Sequence, residues 1–228
     1  MRTVAIIPAA GEGQRMGGQV TKQFLSLRGI PILAHTLKVF DQSVEVDGVV
    51  LVAAAQQQPS LKKVVLEPYP CEKLIRIVDG GAERQDSVAR GLEAVPSECE
   101  LVVVHDGVRP LVSVELLRSV LGAADSYGAA LAAVPARDTV KRAEGRHVVA
   151  TLEREEIWLA QTPQAFHFTL LRRAYEQAAR TKVTVTDDAA LVERLGVSVR
   201  LVVGSEDNIK VTTPTDLILA EALLAQRE

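Results

Sequence analysis

Residues 8–24 read PAAGEGQRMGGQVTKQF and directly follow the apolar run Val4-Ala5-Ile6-Ile7. Glycines such as Gly11 and Gly13 let backbone N–H groups come close to a ligand, and Arg15 and Lys22 add fixed positive charge. That chemistry suits phosphate. The spacing matches neither common phosphate loop. Met16 stands where a dinucleotide fingerprint needs its third small residue, and Gln19 stands where a P-loop carries lysine. The stretch is a third kind of anion loop, or only a loop.

Two further segments have the same character. Asp79-Gly80-Gly81-Ala82-Glu83-Arg84-Gln85-Asp86-Ser87 follows the apolar run Leu74–Val78, and His105-Asp106-Gly107-Val108-Arg109-Pro110 follows Leu101–Val104. Asp106 comes straight after a strand-like run. A carboxylate there is placed to hold Mg²⁺, which binds one or two carboxylates and takes its other ligands from phosphate and water. The bland alternative is a carboxylate that caps a turn. His105 reads as a satisfied strand-end histidine rather than a base. Arg109 reads equally as an anion contact or a structural ion pair.

These loops can act together only if the intervening elements bring them to one place. Thr3–Ile7, Gly48–Ala54, Leu74–Val78, Leu101–Val104 and Ala129–Val134 are apolar without polar alternation, as in strands buried on both faces of a parallel sheet. Between them lie helical stripes: Ile32, Leu33, Thr36, Leu37 and Phe40; Val88, Leu92 and Val95; Leu116, Leu117, Val120 and Leu121. The βαβα alternation predicts an α/β fold, a single Rossmann-like open and mostly parallel sheet with helices on both faces. Such sheets bind ligands at the carboxyl ends of their strands, so the three loops should share one rim.

The pattern breaks near residue 136. Asp138–Arg142 and His147–Leu152 flank Ala-Glu-Gly-Arg and predict a β-hairpin turning near Gly145. It is too polar for a core, and an isolated hairpin is marginal in water. The excursion over about 136–155 therefore packs on something: a second subunit, or the chain's own body as a flap. Helices follow at Leu170–Ala179 and Ala189–Leu195, then a strand at Val197–Val203. A last helix opens with Thr213 as N-cap, Pro214 in the first turn and Asp216 closing a capping box.

A chain of 228 residues suits one domain, here 1–228 with the hairpin as excursion. A formal net charge of −3 argues against general nucleic-acid binding but allows a local basic pocket. Cys71 and Cys99, with no CxxC, make a disulfide framework or zinc site unexpected. No stretch is apolar enough to span a bilayer and no signal peptide is apparent, so the expected location is cytoplasmic, without membrane contact.

Over nearly its whole length the chain resembles the 2-C-methyl-D-erythritol 4-phosphate cytidylyltransferase family of the non-mevalonate isoprenoid pathway. The resemblance rests on AAGEGQRMGG, TKQF, GGAERQDSV, HDGVRP, ARDTVKR, QTPQAF, TDDAALVE and DNIKVTTPTDL, in that order. It implies a fold of the nucleotide-diphospho-sugar transferase type and a reaction in which CTP and methylerythritol phosphate give the CDP-alcohol and pyrophosphate, with Mg²⁺. By the same resemblance, Arg15 and Lys22 stabilise the α-phosphate at its pentacoordinate stage, with Lys210 as a phosphate-side lysine. Gly81 and Ser87 read cytosine and ribose, and the backbone of Ala9, Ala10, Gly11 and Gly13 does so from the other side. Asp106 and Arg109 match residues at the metal and sugar phosphate, and Thr139, Arg154, Thr162 and Thr186 match the acceptor pocket. The hairpin would reach across a homodimer, so that Thr139 and Arg154 serve the neighbour's site. Ala82 departs from relatives that carry aspartate there, which weakens any side-chain reading of the base at that position.

The chemistry agrees with the inventory. A phosphate monoester nucleophile is already anionic at neutral pH and needs no general base, and these loops hold no His–Ser or His–Cys pair. The difficulty is bringing two polyanions together, which positioning and cationic clamps solve. Rival readings are a ribitol 5-phosphate cytidylyltransferase, another sugar-nucleotide transferase, or a non-catalytic nucleotide-binding regulator. ARDTVKR and LEREEIW look more like the methylerythritol enzyme. A pure binder has no need of Arg15, Lys22 and Asp106 together.

Overall fold

A computed structural model of the chain describes residues 2–11 and 22–227. The first apolar run is β1 (Thr3–Pro8). Two short strands, β2 (Ser26–Leu27) and β3 (Ile30–Pro31), lead into α1 (Ile32–Gln42). Then come β4 (Gly48–Ala53), α2 (Gln58–Leu61), β5 (Leu74–Asp79), α3 (Arg84–Glu93), β6 (Leu101–Val104), α4 (Val114–Tyr127) and β7 (Ala129–Pro135). Beyond the hairpin of β8 (Lys141–Glu144) and β9 (His147–Thr151) lie β10 (Trp158–His167), α5 (Phe168–Thr181), α6 (Asp188–Glu193), β11 (Arg200–Val203) and α7 (Pro214–Ala225).

Seven strands form the central sheet in the order β11-β7-β10-β6-β1-β4-β5. Neighbours are parallel except where β10 runs antiparallel to both β6 and β7. The expected mostly parallel α/β sheet is therefore present, with one inserted strand that the apolar pattern does not signal. The centre of β10, Gln161-Thr162-Pro163-Gln164, has no apolar run, and the ladder to β7 slips between Ala160 and Gln164. Its buried polar groups find partners in other elements instead: the Gln164 amide donates to Asp187 Oδ2 at 2.9 Å and accepts from the Ala189 N–H at 3.0 Å.

The uniform apolar strands divide by alternate residues. Ala5 and Ile7 pack with Leu33, Leu37 and Phe40 of α1 and Leu117 and Val120 of α4, while Val4 and Ile6 pack with Val88 of α3 and Leu171 of α5 on the other face. Each of these buried side chains larger than alanine contributes roughly 1.5–3 kcal/mol. β5 is the exception: it is an edge strand and only half-buried, with Arg76 exposed, so the expectation of burial on both faces fails there.

Several boundaries differ from the sequence expectation, among them the helix expected over 170–179, which spans Phe168–Thr181. The first hairpin strand begins at Lys141, not Asp138; the helix expected over 189–195 spans Asp188–Glu193; and the strand expected over 197–203 is only Arg200–Val203. In α6 the Asp187 carboxylate accepts from the Ala190 N–H at 3.1 Å, which fixes the start ahead of the apolar stripe. The hairpin is a separate two-stranded sheet turning at Gly145, whose φ of +58° favours glycine. The capping box at α7 is as expected: Thr213 Oγ1 accepts from Asp216 N–H at 3.2 Å, and Asp216 Oδ2 accepts from Thr213 N–H at 2.8 Å. Among the described residues no helix is long and apolar enough to cross a membrane.

Candidate active site

β6, β1, β4 and β5 are consecutive in the sheet, so the loops at their carboxyl ends lie side by side. Chain order reverses between β1 and β6, the place where open α/β sheets form ligand crevices. A cleft of about 1100 Å³ opens there, lined by Ala10, Gly11, Gly81, Ser87, Asp106 and Lys210 among others. Its walls meet only because Gly80 has no side chain: a Cβ there would lie 2.2 Å from the Ala10 Cβ. Ala9 sits behind the wall, with its carbonyl accepting from the buried Gln23 amide at 2.7 Å. Gln23 also donates to Gln57 Oε1 at 2.7 Å, so the residue after Lys22 is tied to the segments that follow both β1 and β4. Gly13 and Arg15 lie outside the described residues. Lys22 opens a short 3₁₀ turn, Lys22–Phe24, and its side chain is likewise outside the description.

The β5 loop turns into α3 through backbone held by side chains. Ser87 Oγ accepts from the Gly81 N–H at 3.0 Å and donates to the Glu83 carbonyl at 3.1 Å, while Arg90 donates to the Gly80 carbonyl at 2.6 Å. The glycine backbone is therefore fixed before any ligand arrives, and Glu83, Arg84 and Ser87 at the start of α3 line the cleft.

Asp106 is the centre of charge. It is 6% exposed, yet three cations approach it: Arg84 Nε donates to Oδ1 at 3.0 Å, Lys210 Nζ to Oδ2 at 2.8 Å, and Arg109 Nε lies 3.8 Å from Oδ2. Burial alone would raise the carboxyl, but Arg84, Lys210 and Arg109 outweigh it and hold Asp106 ionised, well below the usual carboxylate range. Burial also pulls the Arg109 guanidinium below its ordinary value. Its Nη1 donates to the Asn208 carbonyl at 2.7 Å, and its buried Nε has no hydrogen-bond partner among the described residues. Of its two expected characters, Arg109 shows the structural ion pair, with Asp106, and it is not among the residues that line the cleft.

A chain of hydrogen bonds fixes the loop that carries Asp106. His105 Nε2 lies 3.1 Å from the Arg109 carbonyl, which can only accept, so Nε2 carries the proton and Nδ1 accepts. Thr162 Oγ1 then donates to Nδ1 at 3.1 Å and accepts from the Asp106 N–H at 3.1 Å. Burial lowers His105 to about 4, so it is neutral at physiological pH. It is a satisfied strand-end histidine, as expected, and Thr162 stands behind Asp106 rather than in the open cleft.

The family model for IspD, 2-C-methyl-D-erythritol 4-phosphate cytidylyltransferase, matches residues 3–226, a span that includes all three rim loops and the hairpin. The chain belongs to this cytidylyltransferase family. It is 48% identical over 228 residues to the 2-C-methyl-D-erythritol 4-phosphate cytidylyltransferase of Syntrophus aciditrophicus (strain SB), covering 100% of this chain and 97% of that one. The crystal structure of the enzyme of that name from Thermus thermophilus superposes with a TM-score of 0.82 at 39% identity, covering 99% and 100% of the two chains. That of 4-diphosphocytidyl-2C-methyl-D-erythritol synthase from Anaerococcus prevotii DSM 20548 gives 0.87 at 35% identity, with 98% and 96% covered. The fold is therefore that of a nucleotidyltransferase.

Not every residue drawn from the family resemblance lies in this cytidylyltransferase's own cleft. Thr139 and Arg154 are exposed on the hairpin segment and do not line it; Arg154 donates to the Arg137 carbonyl at 3.2 Å. Thr186 is exposed just ahead of the Asp187 cap. The sequence reading missed Arg84, which bridges Asp106 and Asp188, and Asn208, whose amide donates to the Thr162 carbonyl at 2.8 Å. Both stand inside recognised motifs, but their partners are more than 20 residues away and no spacing announces them.

Proposed function

We propose that the cleft binds CTP and that the chain transfers CMP to 2-C-methyl-D-erythritol 4-phosphate, giving 4-diphosphocytidyl-2-C-methyl-D-erythritol and pyrophosphate. The observation that carries this reading is the buried carboxylate of Asp106 in the cleft, held between Arg84, Arg109 and Lys210 beside two glycine-walled loops. An oxygen of the acceptor phosphate attacks the α-phosphorus of CTP, and the bond to the pyrophosphate oxygen breaks. No proton has to move, which agrees with a neutral, hydrogen-bonded His105 and no other histidine at the rim.

Charge decides what else the site requires. Among the described residues lining the cleft, Arg84, Arg90 and Lys210 are balanced by Asp79, Glu83 and Asp106. A neutral wall cannot by itself gather two polyanions, so the additional positive charge falls to Arg15, Lys22 and a metal ion. Asp106 suits Mg²⁺: the ion needs one or two carboxylates and completes its shell with phosphate and water, and a carboxylate offers about four lone-pair sites. Bound there, Mg²⁺ would neutralise phosphate charge. Gly81, Ser87, Ala10 and Gly11 would hold the nucleoside against fixed backbone, with Ala9 behind them. On the acceptor side Arg109 would act through its pairing with Asp106, Thr186 would meet the acceptor from the exposed segment ahead of the Asp187 cap, and Thr162 would hold the Asp106 loop. The exposed apolar residues of the hairpin segment, Val148, Val149 and Leu152, support a homodimer in which Thr139 and Arg154 complete the partner copy's acceptor pocket.

The test is pyrophosphate release with CTP and Mg²⁺, comparing 2-C-methyl-D-erythritol 4-phosphate with ribitol 5-phosphate. Preference for the first is expected. Preference for the second would keep the CTP half of the reading and overturn the acceptor half.

A further inference from the structure

The cation nearest Asp106 Oδ1 is itself held from behind. Arg84 is the first residue of α3, and its guanidinium uses two of its five N–H donors to span two carboxylates. Nε donates to Asp106 Oδ1 at 3.0 Å and Nη2 to Asp188 Oδ2 at 2.8 Å. Asp188 is 1% exposed, and a carboxylate so deep demands more than one partner. The second is the Tyr175 hydroxyl, which donates to Asp188 Oδ1 at 2.5 Å. Tyr175 lies on α5, 8% exposed, and does not line the cleft. Burial, reinforced by Asp188, pushes its phenol above the ordinary range, so it remains a donor at any physiological pH. Side chains from α5, α6 and α3 thus form one line of hydrogen bonds that ends on Asp106.

This line restricts what Arg84 can do. A guanidinium released from Asp188 would be free to turn its two-pronged edge onto Asp106, where fork-to-fork pairing is the favoured geometry. That arrangement would occupy both carboxylate oxygens and compete with Lys210, which now lies 2.8 Å from Oδ2. With Nη2 drawn towards Asp188, Arg84 meets only Oδ1.

We propose that Asp188 and Tyr175 are positioning residues for cytidylyl transfer: from sites that touch no substrate, they hold Arg84 to one oxygen of Asp106 and so leave the other to Lys210, which lines the nucleotide cleft. The inference rests on the reading of that cleft as the CTP site. It implies that a single hydroxyl on α5 affects nucleotide binding.

The test is a double-mutant cycle of Tyr175→Phe and Arg84→Lys, read as kcat and KM for pyrophosphate release and, separately, as calorimetric CTP affinity without acceptor. Lysine keeps the charge but cannot span both carboxylates, so it uncouples Arg84 from the line. Tyr175→Phe alone should weaken CTP binding and kcat/KM about threefold to tenfold, and should change neither more than about 1.5-fold in the Arg84→Lys background. An equal loss in both backgrounds would show that Tyr175 only supports packing and would overturn the proposal, as would no loss in either. Asp188→Asn, which keeps the side-chain volume, should show the same background dependence with a larger factor, and covers the case in which Tyr175→Phe unfolds. Wild-type protein that binds no CTP and releases no pyrophosphate would instead overturn the underlying reading of the cleft.

Discussion

Asp106→Asn isolates the charge at the centre of the site, because asparagine keeps the volume and the backbone N–H that Thr162 accepts. What disappears is one negative charge 3.0 Å from Arg84, 2.8 Å from Lys210 and 3.8 Å from Arg109. At about 3 Å and an effective dielectric of about 20, each near pair is worth roughly 5 kcal/mol in gross Coulomb energy, most of it offset by desolvation. Breaking a buried ionic group from one side costs about 3–5 kcal/mol net, because the partners stay behind unpaired. Here the lower end applies. Arg84 and Lys210 side chains are 27% and 38% exposed and can be rehydrated, whereas Arg109 at 12% cannot. The expectation is a loss of about 3 kcal/mol in denaturant unfolding, with kcat/KM for pyrophosphate release down at least a hundredfold, as for loss of one electrostatic contact to a transition state. Lys210→Met is the control. It leaves Asp106 paired with Arg84, so it should cost only about 1 kcal/mol of stability with a similar loss of rate. A folded Asp106→Asn protein within threefold of wild-type kcat/KM would refute the reasoning, whatever its stability.

Three further outcomes are expected. Arg15→Ala and Lys22→Ala should each lower kcat about a hundredfold, or about 3 kcal/mol, with the fold intact by circular dichroism; near wild-type turnover in both would remove the α-phosphate role. His105, lowered by burial from 6.5 to about 4, is neutral when folded but protonates on unfolding below pH 6.5. The unfolded state then binds the extra proton, so stability is complete above about pH 6.5 and falls by about 3 kcal/mol towards pH 4. A His105→Asn protein, less stable throughout, should lack that one-proton slope in urea titrations; an unchanged slope would assign it elsewhere. If the hairpin serves a neighbouring site, mixing inactive Asp106→Asn with inactive Arg154→Ala dimers and allowing exchange should restore about a quarter of wild-type turnover. No recovery despite demonstrated exchange would return Arg154 to its own subunit.

The legible part of this fold is the part whose residues answer to their own neighbours. β1, β4, β6 and β7 are visible because a strand covered by helices on both faces must be apolar at every position. The α7 cap is visible because Thr213 and Asp216 bond each other within one turn. β10 is invisible for the opposite reason. Gln161, Thr162 and Gln164 are buried only because Ser205, His105 and Asp187 supply partners, the nearest of them 23 residues away. The same holds at the site. Asp106 could be read from its place after a buried strand, but Arg84 and Asp188, 104 residues apart, become a pair only once α3 and α6 meet on one face.

That division has a physical consequence for how this enzyme family member assembles its chemistry. The reaction calls for no proton transfer, so its residues need not be tuned in pKa; they must be placed. Placement here is done by buried polar contacts between distant elements: His105 and Thr162 fix the backbone of Asp106, Asn208 fixes Arg109 through its carbonyl, and Asp188 draws on Arg84. Each such contact is worth only about 1–3 kcal/mol. Together they hold Arg84, Arg109 and Lys210 about one carboxylate before any phosphate enters. Cations held apart in this way have already met their mutual repulsion and part of their desolvation in folding, and need not meet it again in the transition state. For this cleft, then, the stability of the fold and the electrostatic readiness of the site are one set of hydrogen bonds seen from two sides.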